Sequence, residues 1–255
     1  MAVYLTGDTH GDFSRFASDA FPRQDSMNKQ DYMIICGDFG GVWNGSPEEQ
    51  ENLDHLDALP FTTLFVSGNH ENFDLLASYP EEIWNGGQTR KIRPSVRLLT
   101  RGQVFDLNGK KFFTMGGASS RRVKILKPDD LLFKFKLRWN NILKRPYWIE
   151  NFNWWSAELP NKLEYQTARE NLDACNWNID YIITHCAPTS VQNLLDLREA
   201  HKQGSYLPND FTDFLDEIAN RARFQLWFMG HYHGDIALNN RFLILYNQII
   251  KLNQD

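Results

Sequence analysis

The sequence predicts an α/β (α+β) protein built on a mixed sheet, and three observations carry that prediction. First, short apolar runs recur without alternation: Val3-Tyr4-Leu5-Thr6, Tyr32-Met33-Ile34-Ile35-Cys36, Thr63-Leu64-Phe65-Val66, Tyr181-Ile182-Ile183 and Phe224-Gln225-Leu226-Trp227-Phe228-Met229. A strand covered on one face alternates apolar and polar residues, whereas a continuous run signals cover on both. Second, helix-like stretches lie between the runs. Third, residues suited to chemistry stand just after the runs, at the carboxyl ends of the expected strands, where layered α/β enzymes carry them.

The helices announce themselves by their starts. Ser46-Pro47-Glu48-Glu49 offers an N-cap, a proline at the first helical position and a glutamate at the third, ahead of Leu53, Leu56 and Leu59. Two more are predicted at about 161–175 and 210–223. Asn108-Gly109, between Val104-Phe105-Asp106-Leu107 and Lys111-Phe112-Phe113, signals a tight hairpin. Asn239-Asn240 signals another, so the later chain adds antiparallel strands.

Bulk properties bound the function. With 255 residues the chain can bury a large core, and no linker or low-complexity stretch divides it, so one domain over 1–255 is expected. A net charge of −5 gives no support for a nonspecific nucleic-acid or membrane binder, although a local basic patch stays compatible with it. No basic n-region precedes an apolar stretch, and no window reaches 18 apolar residues, so neither a signal peptide nor a spanning helix is expected. Cys36, Cys175 and Cys186 lack CxxC spacing and read as small apolar residues in a reducing cytoplasm. The region 119–160 breaks the pattern with arginines, lysines and a cluster of aromatics that includes Phe133, Phe135, Trp139, Tyr147 and Trp148. It reads as an insertion on the same domain, helical in part and placed to hang over the site like a cap.

Five blocks follow the apolar runs: Asp8-Thr9-His10, Gly37-Asp38, Gly68-Asn69-His70-Glu71, His185 and Gly230-His231-Tyr232-His233. They gather five of the seven histidines, two aspartates and an asparagine, enough oxygen and nitrogen donors for two divalent ions side by side. Two carboxylates against two such ions leave about +2, and a bridging hydroxide about +1, which still attracts a phosphate. His55 and His201 lie outside these blocks and read as bystanders.

The ordered set resembles the calcineurin-like metallophosphoesterase superfamily, in particular its single-domain bacterial-type members. The pattern D-x-H, GD, GNH-[DE], H and GHxH is matched at every ligand position from Asp8 to His233. The resemblance implies a four-layer fold, a β-sandwich of two mixed sheets flanked by helices, with the metals at one edge. It implies that Asp8, His10 and His233 hold one ion, that Asn69, His185 and His231 hold the second, and that Asp38 bridges them. His70 would stand outside the metal shells, beside the leaving-group oxygen, as proton donor. The implied reaction is hydrolysis of a phosphomonoester or phosphodiester by a metal-bridging hydroxide. Manganese, iron and zinc all suit this ligand set.

Departures from the pattern narrow the class. Serine/threonine protein phosphatases carry an aspartate and a phosphate-clamping arginine where this chain has Gly41 and Val42, and purple acid phosphatases need a tyrosine where Gly41 stands. Asp12 replaces the asparagine of many relatives. The expected partner is a small phosphate ester or a nucleotide. The acidic balance counts against nucleic acid, and neither a membrane nor a protein partner is implied. Asn69, Arg121 and Arg122 are candidates to hold the substrate phosphate, the two arginines being equally readable as solvated charges. Trp154 and Trp155 suit either nucleobase stacking or the core of the insertion. Gly116-Gly117-Ala118-Ser119-Ser120 followed by Glu158-Leu159-Pro160 looks like a pattern of bacterial members to which no role attaches. Glu71 would orient its neighbours or start a helix. Two other readings keep the same residues: a nuclease, and a non-catalytic interaction module.

Overall fold

A computed structural model describes residues 1–120, 123–198 and 207–252. In chain order its elements are β1 (Val3–Thr6), β2 (Tyr32–Ile35), α1 (Pro47–Ala58), β3 (Thr62–Phe65), α2 (Phe73–Ser78), β4 (Glu81–Trp84), β5 (Gly87–Arg93), β6 (Val96–Leu99), β7 (Gln103–Leu107) and β8 (Lys110–Met115). There follow β9 (Lys124–Leu126), α3 (Phe133–Ile142), β10 (Tyr147–Ile149), α4 (Lys162–Ala174), β11 (Tyr181–Thr184), α5 (Thr189–Arg198), α6 (Asp210–Arg221), β12 (Leu226–Met229), β13 (Ile236–Leu238), β14 (Phe242–Ile244) and β15 (Ile250–Lys251).

Two mixed sheets form, ordered β15-β1-β2-β3-β6-β5-β4 and β13-β14-β12-β11-β8-β7. The five apolar runs supply β1, β2 and β3 of the first sheet and β11 and β12 of the second, each set parallel. Their unbroken apolarity has a layered cause. Alternate residues such as Leu5, Ile34, Leu64, Phe112, Ile183 and Phe228 meet between the sheets. The intervening residues Met33, Ile35 and Phe65 face α1 through Leu53 and Leu56, while Ile182, Trp227 and Met229 face α4, α5 and α6. The resulting order, helix, sheet, sheet, helix, is the four-layer sandwich expected.

Local signals worked as read. Ser46 accepts from Glu49 N and caps α1, and Asn161 and Asn209 build capping boxes on α4 and α6. Asn108 and Gly109, with φ of 63° and 75°, close the β7–β8 hairpin, and Asn239 and Asn240 close β13–β14 in the same left-handed region. The hairpin β4–β5 and the helices α2 and α5 were not anticipated. Between β9 and β10, which pair with each other, the basic aromatic segment forms α3. Trp155 at its far end is buried and donates to Asp74 Oδ2 of α2, so it belongs to the core and not to a stacking surface.

Because Ile34 is buried between the sheets in a central strand, Ile34→Ala is expected to lower the unfolding free energy by about 2–5 kcal/mol. Chemical denaturation reads the loss directly, and a change below about 1 kcal/mol contradicts the sandwich core described.

Candidate metal centre

Parallel pairing places the carboxyl ends of β1, β2 and β3, and of β8, β11 and β12, along one edge of the sandwich. The loops leaving those ends are stitched together. Thr9 N and His10 N both donate to the Asp38 carbonyl, Gly11 N to Phe39, and across the two sheets Gly117 N donates to the Ser67 carbonyl. His231 N reaches the Asp8 carboxylate at 3.0 Å, and His70 N reaches Asp38 Oδ1 at 2.8 Å.

All seven metal-ligand candidates arrive at this edge. Asp8 Oδ2 lies 3.1 Å from His233 Nε2 and 3.9 Å from His10 Nε2, and those two nitrogens are 3.2 Å apart. Asp38 Oδ2 lies 3.4 Å from His185 Nε2 and 3.9 Å from His10 Nε2, so one carboxylate oxygen stands between the two groups. Asn69 Oδ1 is 3.3 Å from His185 Nε2. The ring of His231 stands beside that of His185, with centroids 5.0 Å apart. Asp8 also approaches the second group, through Oδ1 at 3.8 Å from His185 Nδ1.

This donor set fits metal ions. His185 Nδ1 sits 2.8 Å from the Cys36 carbonyl, to which it must donate, and that leaves the Nε2 lone pair facing the oxygens of Asp38 and Asn69. Three acceptors meeting with no donor between them require a proton or a cation. Two ligand atoms each about 2.1 Å from one ion stand roughly 3.0–3.4 Å apart at octahedral to tetrahedral angles, the separation found between His10 and His233.

The electrostatics agree. Burial pulls His185 down, but Asp38 and then Asp8 outweigh it and raise the imidazole to about 9. Asp38, although burial raises it, is held far below the usual carboxylate range by His185 and by the His70 amide. Burial, and after it the nearby His185, depress His231 to about 4, which favours the neutral ring that coordinates metals. His233 is lifted by its bond to Asp8. His10 is lowered by burial.

Holding these groups strains the backbone. His10, Asp38, His231 and His233 all have φ between 44° and 68°, the left-handed region that non-glycine residues avoid at about 1–3 kcal/mol each. Two glycines are required by close approach. A Cβ on Gly68 would lie 1.9 Å from Asp38 Oδ1, and one on Gly230 would lie 2.1 Å from Asp8 Oδ1.

His70 is half-buried, its ring 5.8 Å from that of His10 and 6.1 Å from Trp148 of β10. Part of the insertion therefore packs on this histidine, through Trp148 of its aromatic cluster. On the other side a groove of about 480 Å³ opens past Phe13, Gly41, Trp43, Asn44 and Asn52. Arg121, Arg122 and His201 lie outside the described residues. Trp154 is half-buried, and His55 is an exposed residue of α1.

Supporting residues, some of them without a role in the sequence reading, hold the donors in place. Glu71 does not cap the next helix, a role taken by Asn72. It is fully buried and accepts from Phe39 N at 2.8 Å, Gly68 N at 3.2 Å and Gly40 N at 3.4 Å, clasping the loops after β2 and β3. Burial, and then Asp38, push it up to about 8. Asn69 Nδ2 donates to Ser120 Oγ, which donates to Glu158, and Arg101 holds the Ala157 and Glu158 carbonyls. The glycine-serine pattern and the later Glu-Leu-Pro thus orient one amide. Arg15 ties Thr6, the Asp8 carbonyl and the Tyr246 carbonyl together, while Tyr246 stacks on His233 at 4.6 Å.

Carboxylates and imidazoles clustered at the strand ends of a four-layer sandwich make a site suited to hold metal ions. The chain belongs to the calcineurin-like phosphoesterase family, which it matches over residues 1–235. It is similar to a lariat debranching enzyme of Drosophila pseudoobscura pseudoobscura, 21% identical over 263 residues that cover 93% of this chain and 43% of that protein. The chain thus spans less than half the length of that relative.

With the Glu71 carboxyl pushed up by burial, Glu71→Gln, which keeps an acceptor for Phe39 N and Gly68 N, is expected to melt close to the parent. Glu71→Ala strands buried amides and is expected to cost about 1–3 kcal/mol or more. Thermal denaturation separates the two, and equal loss in both contradicts the clasp.

Proposed function

We propose that the chain is a dinuclear phosphoesterase that hydrolyses a phosphomonoester or phosphodiester. One observation carries the reading: Asp38 Oδ2 stands between His10 Nε2 and His185 Nε2, with Asp8 completing the first cluster with His233 and also approaching the second. Asp8, His10 and His233 would hold one ion and Asn69, His185 and His231 the other, with Asp38 shared. Bound divalent ions lower the pKa of water and offset phosphate charge. Manganese, iron and zinc remain equivalent on ligand chemistry.

The chain's own groups do the rest. Asp8 and Asp38 neutralise part of the ionic charge while leaving the pocket attractive to an anion. His70, anchored through its amide to Asp38, is placed to give a proton to the departing oxygen. The groove past Phe13, Trp43 and Asn44 begins at His70 and offers the leaving group a place. Asn69, its amide held by Ser120 and Glu158, presents a fixed carbonyl to the second position. The similarity to a lariat debranching enzyme supports a diester as one candidate substrate.

Elemental analysis of the purified chain is expected to find about two metals, removable with chelator and restored with manganese together with turnover. Hydrolysis of p-nitrophenyl phosphate against bis-p-nitrophenyl phosphate divides monoesterase from diesterase. Asp38→Asn is expected to remove activity and weaken metal retention, whereas His70→Ala loses about 10²–10⁴-fold in rate and keeps its metal. Full turnover in His70→Ala rules out the assigned proton donor, and a metal-free, inactive chain revives a non-catalytic role.

A further inference from the structure

Helix α3 turns its apolar side away from the protein. Leu131 is fully exposed, and Leu132, Phe135, Trp139, Ile142 and Leu143 are 40–62% exposed. Steps of three and four residues set them on one stripe along the helix and the turn that precedes it. The side facing the protein carries Asn140, buried and bonded to the Lys136 carbonyl. A contiguous apolar stripe of this size on a surface marks an interaction site.

Charge identifies what it meets. By helical position, Lys134 and Arg138 border one side of the stripe, and Lys144 and Arg145 follow its end. Lys136, which also pairs with Asp130, borders the other side. Over 123–145 there are seven lysines and arginines against two aspartates, in a chain whose net charge is −5. A second copy of the chain does not match, because a twofold contact sets this basic border against itself. Phe135 and Trp139 stack at 6.0 Å as nucleobases would on a binding platform, but the other four side chains of the stripe are aliphatic and gain nothing from base stacking. Aliphatic and aromatic side chains between cations are what an anionic bilayer interface takes up, the apolar groups entering the acyl boundary while lysine and arginine reach headgroup phosphates.

We propose that α3 and the turn before it form a reversible membrane-surface anchor that lies flat on anionic lipid. No helix among the described residues is long and apolar enough to cross a bilayer, so the contact is peripheral. The anchor continues directly into β10, whose Trp148 packs on His70, so it holds the metal centre close to the headgroups. The proposal does not depend on which ester is cleaved.

Co-sedimentation of the full chain with vesicles tests it. Binding is expected to vesicles of phosphatidylcholine with phosphatidylglycerol and not to phosphatidylcholine alone, and to weaken as salt rises. Leu131→Glu and Trp139→Glu, both at exposed positions, are expected to reduce binding about tenfold with unchanged melting temperatures. Arg138→Glu is expected to reduce it several-fold. Equal binding to both lipids, no binding, or full binding by all three variants overturns the proposal. So does finding that the same variants abolish self-association or capture of a single-stranded RNA oligonucleotide while vesicle binding is absent.

Discussion

Asp8 and Asp38 sit almost wholly out of water at the edge of the sandwich, and two negative charges so placed are tolerable only where positive charge meets them. The amides of His231 and His70 supply part of it. His185 supplies more, held in one tautomer by the Cys36 carbonyl and raised toward protonation by the same two carboxylates. A divalent cation meets the same demand more completely. Much of the surrounding structure follows from bringing donors to those two side chains. Three loops from each sheet converge on them, and the hydrogen bonds crossing between the sheets fix their spacing.

That convergence is costly to the backbone. Four candidate ligands adopt left-handed conformations, and two glycines exist where any side chain would strike a carboxylate oxygen. Such strain persists only where neighbours over-determine the geometry. Here the restraint is visible: Glu71 clasps the amides of two loops, Arg15 binds the first loop to the one carrying Tyr246, and the Ser120–Glu158 pair sets the Asn69 amide. These residues touch no expected reactant, yet they determine where the donors stand.

The strands that carry the donors were legible because both of their faces are buried, which removes alternation and leaves unbroken apolar runs. The caps at Ser46 and Asn161 and the hairpin at Asn108-Gly109 were legible because their chemistry is local. The ligand blocks stood out by residue type and order. What could not be read depends on partners far along the chain. Glu71 read equally as an orienting group or a helix start, and its partners, the Phe39 and Gly40 amides 31–32 residues away, decide for the first. Ser120 and Glu158 are 38 residues apart and meaningless singly. Trp148 reaches His70 only because β10 pairs with β9. Half-exposed strands such as β4 gave no continuous apolar signal.

The first and last donors, Asp8 and His233, are separated by nearly the whole fold, and the Arg15–Tyr246 bond spans 231 residues. Closing loops of that length must precede any reward from the contacts they make. The early strands alone give Asp38 the His70 amide, while the amide that meets Asp8 comes from His231, far along the chain. Docking of β12 beside β11 brings His231 and His233 alongside His185 and completes the donor set. A cation held by donors from both ends of the chain would tie those ends together, so metal loading and native stability would be coupled.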